Sequence, residues 1–116
     1  MSRKHPIKVT PFRRKVYLAL LKVPVGYVTT YALLGKAIGC RSPRAIGQAL
    51  RGNPFAPRVP CHRVIATDFS LGGFSGHRSG PQIARKRRML EAEGLRFDAD
   101  GCVALSERWR VIAPRV

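Results

Sequence analysis

Residues 30–54 decide the fold, and they read TYALLGKAIGCRSPRAIGQALRGNP. Their pattern predicts two short helices on either side of a tight turn. Thr30 can cap the first helix, Tyr31 to Ile38, which a glycine ends. Ser42, followed by a proline, can cap the second helix, which runs from Arg44 to about Arg51. Two such helices fit a helix-turn-helix, although the same pattern also occurs in small helical proteins where both helices are plain core.

The flanking sequence predicts a mainly α fold with a small β element. A threonine and a proline open an earlier helix, whose apolar residues recur at helical spacing as far as Val23. Three prolines make residues 53–63 an irregular loop. Further on, we expect a short strand at residues 64–66, a glycine- and serine-rich loop at 71–80, a helix from Pro81 to Glu93 and a hairpin from Phe97 to Leu105 around an Asp-Gly turn.

The charge of the chain is large and unevenly distributed. Lysine and arginine total 22 against 6 acidic residues, a formal charge of +16. The first 67 residues hold 13 lysines and arginines and no carboxylate. Because such self-repulsion destabilises a compact fold, a polyanionic partner is expected, and nucleic acid is favoured over a generic basic surface. Charge alone does not distinguish DNA from RNA.

Length and composition exclude several classes of protein. A chain of 116 residues with 45% hydrophobic residues has one modest core and is not disordered as its main state. No apolar run approaches the ~20 residues that a membrane span needs, and the basic start lacks the apolar stretch of a secretory signal. We therefore expect an intracellular protein.

The three cysteines are expected to be thiols, because Cys40, Cys61 and Cys102 lack the spacing of zinc ligands and an intracellular compartment is reducing. No metal and no cofactor are expected.

The segment with the most chemical information is Val59-Pro60-Cys61-His62-Arg63. It places a thiol beside an imidazole and a guanidinium. A thiol becomes a good nucleophile when a nearby base or cation favours its ionised form. A carboxylate is the usual third group that orients the histidine. From these residues alone, however, a buried structural residue is the default interpretation of a lone cysteine.

The run Pro60-Cys61-His62-Arg63-Val64-Ile65 resembles the active-site signature of the O6-alkylguanine-DNA alkyltransferase family. Four further motifs occur in the family's order, and the resemblance covers about residues 10–95. They are Thr30-Tyr31, Arg44-Ala45-Ile46-Gly47-Gln48-Ala49-Leu50-Arg51-Gly52-Asn53-Pro54, Gly72-Gly73-Phe74-Ser75-Gly76 and Leu90-Glu91-Ala92-Glu93-Gly94. The resemblance implies a winged helix-turn-helix domain that repairs DNA by direct reversal of damage.

The resemblance also implies roles at the reacting centre. Cys61 resembles the acceptor that takes the alkyl group from O6 of guanine in a single turnover. His62 resembles the base that removes the thiol proton through water, and Glu93 the carboxylate that orients it. Asn53 resembles the residue that links the helix-turn-helix to the active site. Tyr31 resembles the tyrosine that helps rotate the nucleotide and protonates the leaving guanine.

The remaining implied residues bind DNA or line the pocket. Arg44 resembles the arginine that fills the gap left by the extruded base, which agrees with the family's minor-groove docking. Other DNA contacts are expected from Ala45, Gly47, Gln48 and Arg51. The pocket lining is expected to include Val64, Phe74, Ser75 and Gly76.

Departures from the family pattern leave two alternatives open. The family's usual N-terminal domain is not found, and residues 77–80 look inserted. The short length resembles the alkyltransferase-like proteins, which bind alkylated DNA without repairing it and usually lack the acceptor cysteine. Because Cys61 is present, alkyl transfer is favoured over a lesion sensor that signals to excision-repair proteins. A plain helix-turn-helix protein with a structural Cys61 is the other alternative.

The domain organisation and setting follow from this interpretation. We expect a single domain over residues 1–116, comprising a basic arm at 1–9, the family core at 10–95 and a C-terminal hairpin and tail at 96–116. It is expected to be a monomer that binds double-stranded DNA containing O6-alkylguanine. No membrane contact is expected. The predicted compartment is the cytoplasm and nucleoid, or the nucleus in a eukaryote.

Overall fold

The computed structural model describes residues 9–73 and 79–115. Over these ranges the chain is mainly helical with a small β element, as predicted, and the two named strands form a parallel sheet. The α-helices are α1 (Pro11–Leu20), α2 (Tyr31–Ile38), α3 (Pro43–Arg51) and α4 (Pro81–Ala92). Two 3-10 helices span Cys61–Arg63 and Leu105–Arg110, and the strands are β1 (Thr29–Thr30) and β2 (Val64–Ile65).

The predicted helix starts are confirmed by their caps. Thr10 accepts a hydrogen bond from the backbone N–H of Arg13 at 3.2 Å. Thr30 and Ser42 cap α2 and α3 in the same way, each at 3.1 Å. Each side chain satisfies a backbone donor that a helix start leaves unpaired. The helix ends differ slightly, since α1 stops before Val23 and α4 one residue before Glu93.

The first three helices pack around one apolar cluster. Val16, Leu20, Leu34 and Ile46 are at most 1% exposed and form its centre. Between α2 and α3 the chain turns at Gly39, whose φ of 73° is in the left-handed region that glycine accepts without strain. The packing of α2 and α3 across this turn confirms the predicted helix-turn-helix.

The short sheet connects this helical part to the rest of the chain. β1 and β2 pair in parallel, with Thr29 opposite Val64 and Thr30 opposite Ile65. β1 leads directly into α2, and β2 follows the 3-10 helix Cys61–Arg63. The sheet therefore fixes the start of the helix-turn-helix relative to the Cys61 segment.

A second apolar cluster lies beyond the sheet. It consists of Val28, Ile65, Leu71, Leu90, Leu95 and Val103.

The predicted hairpin is confirmed next to this cluster. Phe97 pairs antiparallel with Val103, and the Asp98 N–H donates to the Cys102 carbonyl at 2.8 Å. Gly101, with φ of 81°, makes the reversal.

Several expectations fall outside this description. Residues 1–8 of the basic arm and the pocket positions Phe74, Ser75 and Gly76 lie outside the described residues. Within the described ranges, no helix has the length and apolar character needed to cross a membrane.

Candidate active site and nucleic-acid interface

An open cleft of about 1140 Å³ is lined by α3, α4, the Cys61 segment and residues 70–73. It brings together most of the predicted site residues. No aspartate or glutamate is among the described residues that line it. Those that were predicted from the sequence are Tyr31, Arg44, Gly47, Gln48, Arg51, Asn53, Cys61 and His62.

Cys61 begins a 3-10 helix and is partly exposed to the cleft. Its N–H donates to the Val59 carbonyl at 2.8 Å. The same carbonyl accepts a bond from Asn53 Nδ2 at 2.9 Å, and Asn53 Oδ1 accepts from the Phe55 N–H at 2.9 Å. Asn53 therefore ties the chain that leaves α3 to the residues immediately before the thiol.

His62 is 3% exposed, contributes to the inner lining of the cleft and contacts Glu93. Its Nε2 is 2.8 Å from Glu93 Oε2. Burial lowers the pKa of His62 from its ordinary value, and this outweighs the opposing effect of the Glu93 carboxylate. A neutral imidazole that donates Nε2–H to a carboxylate carries its lone pair on Nδ1. That nitrogen is then available as a base.

Arg63 holds the same carboxylate from the other side. Its Nε and Nη2 donate to Glu93 at 2.9 and 3.0 Å, and its Nη1 donates to the Val23 carbonyl at 2.9 Å. Partial burial would raise the pKa of Glu93, but the bonds from Arg63 and His62 outweigh burial and lower it. Glu93 is therefore held ionised and fixed in orientation.

Sequence reasoning placed the Arg63 guanidinium near the thiol and gave it no contact with Glu93. The structure directs it to the carboxylate. The signal was available: an arginine two residues after the cysteine is well placed to share a carboxylate that already binds the intervening histidine.

α4 carries a basic run, Arg85-Lys86-Arg87-Arg88, and a run of this kind is usually a solvated face, but Lys86 is buried. Its side chain is 0% exposed. Its Nζ donates to the carbonyls of Val64, at 2.6 Å, of Leu71 and of Gly73, at 3.1 Å. Burial lowers the pKa of Lys86 to about 7, against the opposing electrostatic influence of Cys61.

The position of Lys86 on α4 had a readable signal. Ile83, Lys86 and Leu90 follow one another at intervals of three and four residues, so they share the apolar face of the helix. The three carbonyls match the three N–H donors of an ammonium group. Lys86 thus joins β2, the residues at 71–73 and α4 behind the cleft.

Three of the α3 residues that were predicted to bind DNA face outward. Arg44, Gln48 and Arg51 are exposed and line the cleft. Tyr31 is the first residue of α2 and lies close to Gly72, where a Cβ would be 3.3 Å from its ring.

Two predicted residues are not brought to the cleft. Val64 is fully buried in the core, because β2 turns its side chain inward. Ala45 is half-buried in the first turn of α3 and is not among the lining residues.

The sequence analysis also missed Tyr17, whose hydroxyl donates to the Ala49 carbonyl at 2.7 Å inside the core. Within the described ranges, no cluster of three or more His, Cys, Asp or Glu residues could hold a metal ion.

Comparison with known protein families identifies the same region. The family model of the DNA-binding domain of 6-O-methylguanine DNA methyltransferase matches residues 11–95. A methylated-DNA–protein-cysteine methyltransferase of Pyrobaculum aerophilum is 40% identical over 102 residues, which are 88% of this chain and 60% of that protein. One of Saccharolobus solfataricus is 41% identical over 91 residues, 78% of this chain and 56% of that protein. The chain thus spans less than two thirds of these relatives.

Solved structures give a consistent result. The Mycobacterium tuberculosis OGT in complex with DNA superposes with a TM-score of 0.65 at 40% identity, covering 74% of this chain and 51% of that one. S. pombe Atl1, bound to damaged DNA containing O6-carboxymethylguanine, superposes with a TM-score of 0.73 at 27% identity. That match covers 93% of this chain and all of Atl1. The predicted winged helix-turn-helix fold class agrees with these neighbours.

Proposed function

The chain belongs to the 6-O-methylguanine DNA methyltransferase family, and on this premise we propose that it repairs DNA by moving an alkyl group from O6 of guanine to Cys61. The observation that carries the proposal is the position of the thiol. Cys61 is partly exposed in a cleft that α3 of the helix-turn-helix also lines, next to a histidine held by an ionised carboxylate. A structural cysteine would be sealed in the core instead.

The residues around the thiol supply what nucleophilic attack requires. Neutral His62 takes the thiol proton at Nδ1 through a water molecule, and Glu93 stabilises the imidazolium that forms. The sulfur then attacks the alkyl carbon, a C–S bond forms, and the bond from carbon to guanine O6 breaks. The electron pair of the broken bond passes to guanine, which Tyr31 protonates. The thioether persists, so each molecule reacts once.

The α3 side of the cleft serves recognition. A guanine inside a duplex is out of reach of the thiol, so it must be extruded at a cost of a few kcal/mol. Arg44 lies in the first turn of α3, lines the cleft and is exposed. We assign it to the space that the extruded base leaves in the stack. Gln48 and Arg51 continue this surface along α3 and contact the backbone of undamaged and damaged duplex alike.

A lesion sensor without alkyl transfer is the second candidate function. It is favoured by the match to Atl1, which covers all of that protein and has a higher TM-score than the match to OGT. Against it stands the presence of Cys61, because a sensor has no use for an accessible nucleophile. The two candidates share the same DNA-binding surface and differ in whether a covalent bond forms.

Intact-mass measurement after incubation with a duplex that contains O6-methylguanine distinguishes these functions. Transfer predicts a gain of one methyl group per molecule, located on Cys61 by peptide mapping. The Cys61→Ser variant should show no gain. Cys102→Ser, which removes a thiol on the hairpin, is the matched control and should gain the methyl group as the unaltered protein does.

The other outcomes identify the alternatives. Selective binding to the damaged duplex without a change in mass would support the sensor and overturn transfer. Equal affinity for damaged and undamaged duplex, again without a change in mass, would leave a plain DNA-binding protein with a structural Cys61.

A further inference from the structure

The basic run on α4 contains two arginines that the fold itself does not use. Lys86 is buried, and Arg87 Nε lies 3.3 Å from Glu91 Oε2. Arg85 and Arg88 are exposed, and no hydrogen bond or ion pair joins either guanidinium group to a described residue. Because they are three residues apart, they share one side of the helix. The fold therefore presents two uncompensated guanidinium groups to solvent on the same face.

Arg85 also lines the cleft that contains Cys61. From α3, Arg44 and Arg51 line the same cleft, so two helices far apart in the sequence contribute cations to it. No acidic side chain is present among the described lining residues. Three like charges around one opening repel each other, and they are stabilised when a polyanion supplies the opposite charge.

We propose that Arg85 and Arg88 bind the phosphate backbone of DNA on the α4 side of the cleft, as a second attachment besides α3. The identity of the polyanion rests on the proposed function. A nucleotide that enters the cleft brings its flanking phosphates past the rim, where Arg85 is exposed. A guanidinium can donate two parallel hydrogen bonds to a phosphate, which fixes orientation as well as position. This second attachment holds the strand while the target nucleotide leaves the stack.

The test compares two double variants that remove equal charge. Arg85→Ala/Arg88→Ala removes the proposed phosphate-binding pair. Arg87→Ala/Arg96→Ala removes two arginines that do not line the cleft, one of them already paired with Glu91. Binding to an undamaged duplex is followed by fluorescence anisotropy over a range of salt concentrations. Thermal unfolding checks that both variants remain folded.

We expect the slope of log affinity against log salt to become shallower by about 0.9 for each phosphate that is no longer neutralised, hence by up to about 1.8 in the first variant. The second variant should keep the slope of the unaltered protein. Equal slopes in the two variants would overturn the proposal, since the effect would then be one of net charge.

Separate measurements test the proposed function and this inference, so either one can be wrong while the other stands. Methyl transfer by the unaltered protein, measured by intact mass, does not depend on the salt slope of the variants. If transfer occurs and the slopes do not differ, the α4 attachment is wrong and the repair function remains. If transfer is absent but the slopes differ as expected, the attachment remains and the repair function is wrong.

Discussion

Replacing Glu93 with glutamine keeps the shape of the side chain and removes the charge that His62 and Arg63 share. The carboxylate accepts three hydrogen bonds of 2.8 to 3.0 Å, and its side chain is 18% exposed. Glutamine has one acceptor oxygen, so it can satisfy only part of this set, and its amide N–H₂ meets a donor on the other side. The guanidinium of Arg63, 12% exposed, loses its ion pair.

The expected loss of unfolding free energy follows from these interactions. A hydrogen bond to a charged group contributes about 1.5–3 kcal/mol, and glutamine retains part of the set, so we expect a loss of about 2 kcal/mol. For a domain of this size, that corresponds to a decrease of about 8 °C in Tm. Circular dichroism at neutral pH measures it directly.

Glu91 provides a matched control two residues earlier in α4. Its ion pair with Arg87 is 3.3 Å long, and both side chains are more than 40% exposed. Such a surface pair contributes about 0–0.5 kcal/mol, so Glu91→Gln should lower Tm by no more than about 2 °C. If both variants lowered Tm equally, the shared carboxylate would have no special part in the fold. In the transfer assay, only Glu93→Gln should react more slowly, because the imidazolium of His62 loses its counter-charge.

Three further outcomes are expected. Burial lowers the pKa of His62 below its unfolded value of about 6.5, so the unfolded chain binds more protons at acidic pH than the folded chain does. The unfolding free energy should therefore fall by at most about 1.4 kcal/mol from pH 6.5 to 5.5, and His62→Gln should flatten this pH dependence in urea titrations. Lys86→Met leaves three carbonyls without their donor and should lower the unfolding free energy by about 2 kcal/mol, whereas Arg87→Met should lower it by at most about 0.5 kcal/mol. Equal losses in urea titrations would contradict the contribution of the buried hydrogen bonds. Tyr17→Phe removes the buried bond to Ala49 and should lower Tm by about 4 °C, whereas an unchanged Tm would mean that this bond adds nothing.

The local elements of the fold were predictable because their signals are short in range. Thr10, Thr30 and Ser42 each cap a helix three residues from the N–H they accept, and two of the three are followed by a proline. The Asp-Gly turn of the hairpin is equally local. The parallel pairing of β1 with β2 could not be predicted from the sequence, since two residues on each strand carry no periodicity. The 3-10 helix Leu105–Arg110 also lacks a sequence signal.

The sequence named the side chains that meet at the candidate site, but not the side chains that hold them in place. Cys61, His62 and Glu93 were assigned by resemblance to a family, and the structure brings the last two to 2.8 Å across 31 residues of sequence. Arg63 and Lys86 were missed for a physical reason. Charged side chains are ordinarily solvated, and this expectation outweighed the helical spacing of Lys86 and the closeness of Arg63 to His62 in the sequence. Val64 was expected in the pocket by resemblance, whereas β2 places it in the core, and both residues of this strand are buried, so no alternation marks the difference.

The position of Glu93 itself argues for a functional constraint on the fold. Glu93 is the C-cap of α4, where the helix presents its carbonyl ends and the negative end of its dipole. A carboxylate is unfavourable there, by roughly 0.3–1 kcal/mol at an exposed site. Arg63 and His62 offset that cost with three hydrogen bonds, and Arg63 extends the connection to the Val23 carbonyl beyond α1. A residue selected for stability alone would be a lysine or an asparagine at this helix end. Glu93 instead places a carboxylate where it holds a buried imidazole in one tautomer, next in sequence to a partly exposed thiol.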